Sequence, residues 1–142
     1  MKISTLLALV PLALITACAT SPTPFTEAVP TPQERVYFQD IVEVPTATAV
    51  FVSDSVVLPM LADLHLLING VKAASIAAGE KVALRLPAGE YVFGVYNTKI
   101  YGADVQDTIN QNLDAGQTYL YRVFVSDFIG PRIERVIEKS VE

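Results

Sequence analysis

Residues able to do bond-making chemistry are scarce in this chain. His65 is the only imidazole and Cys18 the only thiol among 142 residues. A serine or cysteine triad would need His65 as its general base. No Gly-x-Ser-x-Gly run offers a nucleophile, and Leu64-His65-Leu66-Leu67 reads as a sheet histidine with a local hydrogen bond. Carboxylates are more plentiful, and two of them across a cleft would supply the acid and base of a glycosidase. Asp104 and Asp107 border a polar loop, while Asp54, Asp63, Asp114 and Asp127 fall at expected strand ends, where aspartate serves turns. Asn110-Gln111-Asn112-Leu113-Asp114-Ala115 imitates the start of a calcium loop. It fails as one, because Ala115 stands where glycine is needed and Tyr121 where the bidentate glutamate is needed. One cysteine excludes an intramolecular disulfide and multi-cysteine zinc or iron–sulfur sites, and one histidine excludes multi-histidine metal sites. No catalytic residue, metal or cofactor is expected. A net charge of -5 argues against binding nucleic acid through its phosphates.

The thiol has a more specific setting. One positive charge, Lys2, precedes an apolar run from Leu6 to Ile15 that ends in small residues, the layout of an export signal. The run is shorter than the roughly 20 apolar residues of a spanning helix, and Pro11 interrupts it. Ile15-Thr16-Ala17-Cys18 resembles the bacterial lipobox, which is aliphatic, small, small, cysteine. That resemblance implies cleavage between Ala17 and Cys18, with a thioether-linked diacylglyceryl group on Cys18. The alternative is an ordinary signal peptide with a cysteine nearby by accident. Residues 1–17 are thus expected to be a lipoprotein signal peptide. Ala19, rather than aspartate, follows the cysteine. In a Gram-negative host this implies an outer-membrane lipoprotein facing the periplasm, and in a Gram-positive host the outer face of the plasma membrane.

Four prolines lie between Pro22 and Pro32. Proline lacks a backbone donor and biases its predecessor toward extended geometry, so residues 18–44 are expected as a tether. Rising about 3.1 Å per residue, the Ala19-to-Pro32 stretch would hold a domain up to ~40 Å from the bilayer.

Residues 45–142 carry strand and turn signals. Arg35-Val36-Tyr37-Phe38 and Ile41-Val42-Glu43-Val44 look like short extended pieces before them. Thr48 to Ser53 is branched and aromatic, and Leu64 to Ile68 closes on Asn69-Gly70, a dipeptide suited to positive φ at both turn positions. Val71 to Ala74 is the return strand. Val82, Leu84 and Leu86 alternate onto one face, Pro87-Ala88-Gly89-Glu90 turns the chain, and Tyr91 to Tyr96 follows. Val105, Ile109 and Leu113 share a parity, Asp114-Ala115-Gly116-Gln117 turns again, and Thr118 to Val125 is the most strand-like run. Leu58 to Ala78 also has helical spacing at Leu61, Leu64, His65 and Ile68, but the Asn69-Gly70 turn favours strands. The tail suits a helix through Ile133, Val136 and Ile137 or an edge strand through Ile133, Arg135 and Ile137; the strand is preferred. The sum is an all-β sandwich of about seven strands, without metal or disulfide.

The landmarks Ile68-Asn69-Gly70-Val71-Lys72, Leu86-Pro87-Ala88-Gly89-Glu90-Tyr91 and Leu113-Asp114-Ala115-Gly116-Gln117-Thr118-Tyr119 are similar to those of PEGA-like domains. They resemble more closely a group of uncharacterised bacterial envelope lipoproteins. The similarity runs from about Thr48 to Val125, with Ala88 inserted between proline and glycine. It implies an immunoglobulin- or transthyretin-like sandwich with no established catalytic activity.

Parity offers one candidate contact surface. Tyr91, Phe93 and Val95, and Tyr119, Tyr121 and Val123, alternate as core faces do, while Arg85 and Arg122 fall on the opposite parity. Leu120, Arg122 and Phe124 would then form an apolar patch around a cation, as contact sites do. Alternatively the C-terminal segment covers that face, with Glu134 or Glu138 beside an arginine. The functional expectation is a lipid-anchored, non-enzymatic envelope module contacting another envelope protein or a glycan. The alternative is a small hydrolase acting on peptidoglycan or polysaccharide through a carboxylate pair.

Overall fold

The computed structural model describes residues 22–41, 43–54, 63–98, 106–126 and 130–137, and in them the sequence alternation becomes an all-β sandwich. The strands are β1 (Val29–Pro30), β2 (Thr46–Ser53), β3 (Leu64–Ile68), β4 (Val71–Ile76), β5 (Glu80–Pro87), β6 (Gly89–Tyr96), β7 (Gln106–Leu113), β8 (Thr118–Ser126) and β9 (Gly130–Val136). One sheet has the order β1-β5-β2-β8-β9 and the other β4-β3-β6-β7. Nine strands among the described residues exceed the expected seven, partly because β1 comes from the proline-rich stretch. Among the described residues the ambiguous segments form strands: Leu64–Ile68 and Val71–Ile76 are a hairpin, and the tail as far as Val136 is β9, antiparallel to β8, while Leu58, Leu61 and Glu138 lie outside the described residues.

Period-two patterning decides which side chains meet between the sheets. Val82, Leu84 and Leu86 of β5 point inward, as do Tyr119, Tyr121, Val123 and Val125 of β8 and Phe93 and Val95 of β6. At the centre Tyr121 stacks on Phe51 at 4.9 Å, and Phe93 meets Phe51 and Tyr121 edge-on at 5.1 and 5.2 Å. Edge-to-face and offset contacts of this kind suit the ring quadrupole.

The turns between strands do two different jobs. Asn69 (φ 50°) and Gly70 (φ 80°) make the tight β3–β4 hairpin, where positive φ at both positions matches the strand twist. Pro87-Ala88-Gly89, by contrast, is a corner: β5 belongs to one sheet and β6 to the other, with only Ala88 between them. Gly89 takes φ 150° there, and the Ala88 N–H donates to Pro45 O at 3.1 Å. Strands that bend from one sheet into the next build corners in this way.

The registers define two ends. Ser53, Gly79 and Ser126 mark one, and Thr46, the Asn69-Gly70 tip, Pro87 and Gly116 mark the other. We call them the entry end and the hairpin end.

From Thr23 to Asp40 the segment expected as a tether is bonded to the sandwich. Val29–Pro30 pairs in parallel with β5, with Val29 N donating to Gly79 O at 3.0 Å and Thr31 N to Lys81 O at 2.7 Å. Proline is tolerated because β1 is an edge strand, where no further neighbour needs its missing N–H. Gln33–Arg35 then forms a single 3-10 turn. Arg35 reaches Glu80 Oε1 at 2.5 Å and Ser75 O at 3.2 Å, fixing the turn to the β4–β5 connection. Much of the described part of the stretch expected to space the domain from the membrane is bonded to it.

Candidate functional site

Two features are built from residues distant in sequence, one at each end of the sandwich. At the entry end, Arg122 of β8 is ion-paired with Asp54, which immediately follows β2. Both lie where parallel β2 and β8 run side by side, so their neighbourhood follows from sheet register. The pair grips one residue of the N-terminal segment: Thr23 N donates to Asp54 Oδ1 at 3.2 Å, and Thr23 O accepts from Arg122 Nη1 at 3.1 Å. The Phe25 ring lies 5.3 Å from the guanidinium carbon, and Phe25 O accepts from Lys81 Nζ at 2.9 Å. A largely buried carboxylate is tolerable because it is both paired and hydrogen-bonded.

This arrangement alters the reading of the Leu120, Arg122 and Phe124 face. Leu120 and Phe124 are half-buried on the outward parity, as expected, but the cation between them is not free. What lies over that cation is Thr23, through its carbonyl, and the Phe25 ring. β9 lies beside β8 in the same sheet, and Glu134 is level with Arg122 in register without being its ionic partner. Glu138 lies outside the described residues. So do Ala17 and Cys18 of the signal motif, as well as Asp104, Asp127 and Val105.

At the hairpin end an apolar groove of about 370 Å³ opens. Its origin is local. The β3–β4 register shifts between Leu66 and Leu67, so Ala73 has no partner in the ladder, and its carbonyl instead accepts from Tyr37 N at 2.8 Å and Phe38 N at 3.1 Å. That bulge draws the 37–38 segment over the β4 edge and makes it one wall. Ile68 and Leu86 form the floor, and Ile41, Val71 and Tyr91 contribute to the lining. Val71 is 70% exposed, Tyr37 51% and Ile41 45%, so the rim presents apolar side chains to solvent. The Lys72 ammonium sits 5.0 Å from the Tyr37 ring centre and is the one full charge among the described residues that line the groove. Tyr91 donates its hydroxyl to Pro87 O at 2.7 Å, and burial pushes its phenol above the ordinary value. What the described lining residues offer is mainly apolar and aromatic contact.

The remaining candidates have structural partners. Asp107 accepts from Ile133 N at 3.0 Å and pairs with Arg132 Nε at 3.0 Å, tying β7 to β9 across the two sheets. Asp114 N donates to Tyr119 Oη at 2.9 Å within its turn. His65 Nδ1 lies 2.9 Å from Ser75 Oγ directly across the hairpin, and its ring leans on Tyr96 at 4.7 Å. This is the local hydrogen bond expected of a sheet histidine. Among the described residues no three His, Cys, Asp or Glu side chains gather as metal ligands would.

The chain matches no protein-family model and no curated protein. The residues themselves therefore carry the functional argument.

Sequence reading missed both features. Phe25 was the available signal for the first: a solvated spacer has no use for a phenylalanine, and this ring is half-buried against Arg122. For the second, Tyr37-Phe38 looked like a strand fragment, and nothing local marked the bulge at Ala73.

Proposed function

We propose that the protein is a lipid-anchored envelope protein that acts by contact rather than by catalysis, and that its hairpin-end groove receives another envelope protein. Support for the anchor is the Ile15-Thr16-Ala17-Cys18 motif at the end of an apolar run. The observation that carries the contact reading is the exposed apolar rim of Tyr37, Ile41 and Val71 around a groove floored by Ile68 and Leu86. Clustered apolar exposure of this kind is costly in water and marks interaction surfaces. Such a surface suits an apolar protein segment better than a glycan, which needs several hydrogen-bonding groups aimed at its hydroxyls. The short path from Cys18 to Thr23 keeps the sandwich next to its anchor.

Two measurements test this reading. Intact mass of the detergent-extracted protein should exceed that of residues 18–142 by a diacylglyceryl group, with or without an added N-acyl chain. Cys18→Ala should abolish the modification. A photo-crosslinking residue at position 71 should give a discrete protein adduct in intact cells that the same residue at Asn110, on the outer face of β7, does not give. Loss of that adduct on Ile41→Asp would tie it to the groove. An unmodified Cys18, or adducts at Asn110 but none at position 71, would overturn the corresponding half.

A further inference from the structure

The tether between anchor and body is much shorter than the proline-rich composition suggests, and this has a geometric consequence. Thr23 has both backbone groups engaged by the Asp54–Arg122 pair, and Pro24, Phe25, Ala28 and Val29 are fixed in turn by backbone bonds and by Lys81. The chain is thus fixed at the entry end of the sandwich from residue 23 to residue 29. Only five peptide steps separate Cys18 from Thr23. Even fully extended, they span at most about 18 Å. The seven steps from Thr46 to Ser53 of β2, running from the hairpin end to the entry end, span about 23 Å.

We infer that the entry end, bearing Thr23, Phe25, Asp54 and Arg122, faces the phospholipid surface, and that the groove is held at the membrane-distal end. The inference rests on the lipid-anchor reading above. An inverted domain, with its Asn69-Gly70 tip on the headgroups, would lift Thr23 about 23 Å from the surface, beyond the reach of the tether. The free 14-residue spacer read from the prolines would have allowed that inversion. The clamp removes it: Asp54 and Arg122 convert a flexible leash into an oriented mount. The groove then opens toward the aqueous side, where a protein partner can reach it.

The test uses the lipidated full chain in vesicles of phosphatidylethanolamine and phosphatidylglycerol. Cys18 is blocked by its thioether, so one added cysteine takes one fluorophore, at Thr26→Cys near the clamp or at Ala115→Cys in the turn before β8. Both positions are exposed. Energy transfer to an acceptor on the lipid headgroups should be severalfold greater from position 26 than from position 115. Inserting about ten glycine and serine residues after Ser21 keeps the clamp, lengthens the tether, and should shrink that difference without changing the melting temperature. Equal transfer from the two positions, or greater transfer from position 115, in protein whose mass shows the lipid would overturn the orientation and leave the anchor standing. A Cys18 without lipid would overturn both.

Discussion

Asp54 and Arg122, separated by 68 positions in sequence, form an ion pair that holds Thr23 by its N–H and its C=O at once. The pair seats the N-terminal segment on the sheet, and its two members are not equivalent. Asp54 is the more buried, with a side chain 6% exposed against 21% for Arg122. Removing the arginine leaves a buried anion without its counter-ion, whereas removing the aspartate leaves a cation that can still turn toward water. Arg122→Ala is therefore expected to cost about 2–4 kcal/mol in urea unfolding, and Asp54→Ala less. The double variant should cost clearly less than the sum of the two. Additive losses would mean that the pair is not coupled.

A second expectation separates fold from anchoring. Limited proteolysis of the wild-type chain should spare bonds between residues 23 and 31, because their backbone groups are bonded to β5, Asp54 and Arg122. Arg122→Ala should expose that stretch to cleavage before the sandwich itself unfolds. Equally rapid cleavage in both proteins would show that the segment is not held.

Gly70 tests the hairpin. A Cβ there would meet nothing within 4 Å, so any cost of substitution comes from φ +80° rather than from crowding. Gly70→Val should destabilise by about 1–3 kcal/mol, while Gly70→Asn, which tolerates that conformation, should cost much less. Similar losses for the two would point to a cause other than backbone conformation. The neighbouring Asn69 is further committed, since its Oδ1 accepts from Val92 N at 2.9 Å and joins the hairpin to β6.

The strands were legible because a half-buried sheet imposes period two on its own sequence. Val82, Leu84 and Leu86 announced their face, and Asn69-Gly70 announced a turn that the backbone angles display. Which strands become neighbours was much less legible. Pro87-Ala88-Gly89 carries the residues of a hairpin, yet it turns a corner between sheets, because the same φ freedom serves either geometry. The parallel pairing of β2 with β8 joins residues about 70 positions apart and has no local signature. The Asp54–Arg122 clamp depends on that pairing, so it was hidden for the same reason. The proline-rich segment misled because its composition describes a chain in water, whereas edge pairing with β5 and the contact of Phe25 with Arg122 hold it on the protein.

Tyr121 is fully buried between Phe51 and Phe93, and among the described residues its hydroxyl has no hydrogen-bond partner. A buried hydroxyl left unbonded forfeits its hydration without recompense, so deleting it while keeping the ring should not weaken the fold. Tyr121→Phe is expected to be neutral or more stable by about 1 kcal/mol at pH 7. The same burial drives the phenol's pKa well above its ordinary value, because the charged phenolate is disfavoured in the apolar core. The sign of the pH effect follows. The unfolded chain releases this proton near pH ~10, while the folded chain retains it to higher pH. The contribution of Tyr121 to stability is thus complete below about pH 10 and declines above it, as the unfolded state gains the phenolate. Tyr91, also raised by burial, adds a loss in the same direction. Urea unfolding between neutral pH and the limit of alkaline solubility should show wild-type stability falling more steeply than that of Tyr121→Phe. If the variant is several kcal/mol weaker at pH 7, the hydroxyl has a partner after all, and parallel alkaline slopes would mean that Tyr121 is not the group being titrated.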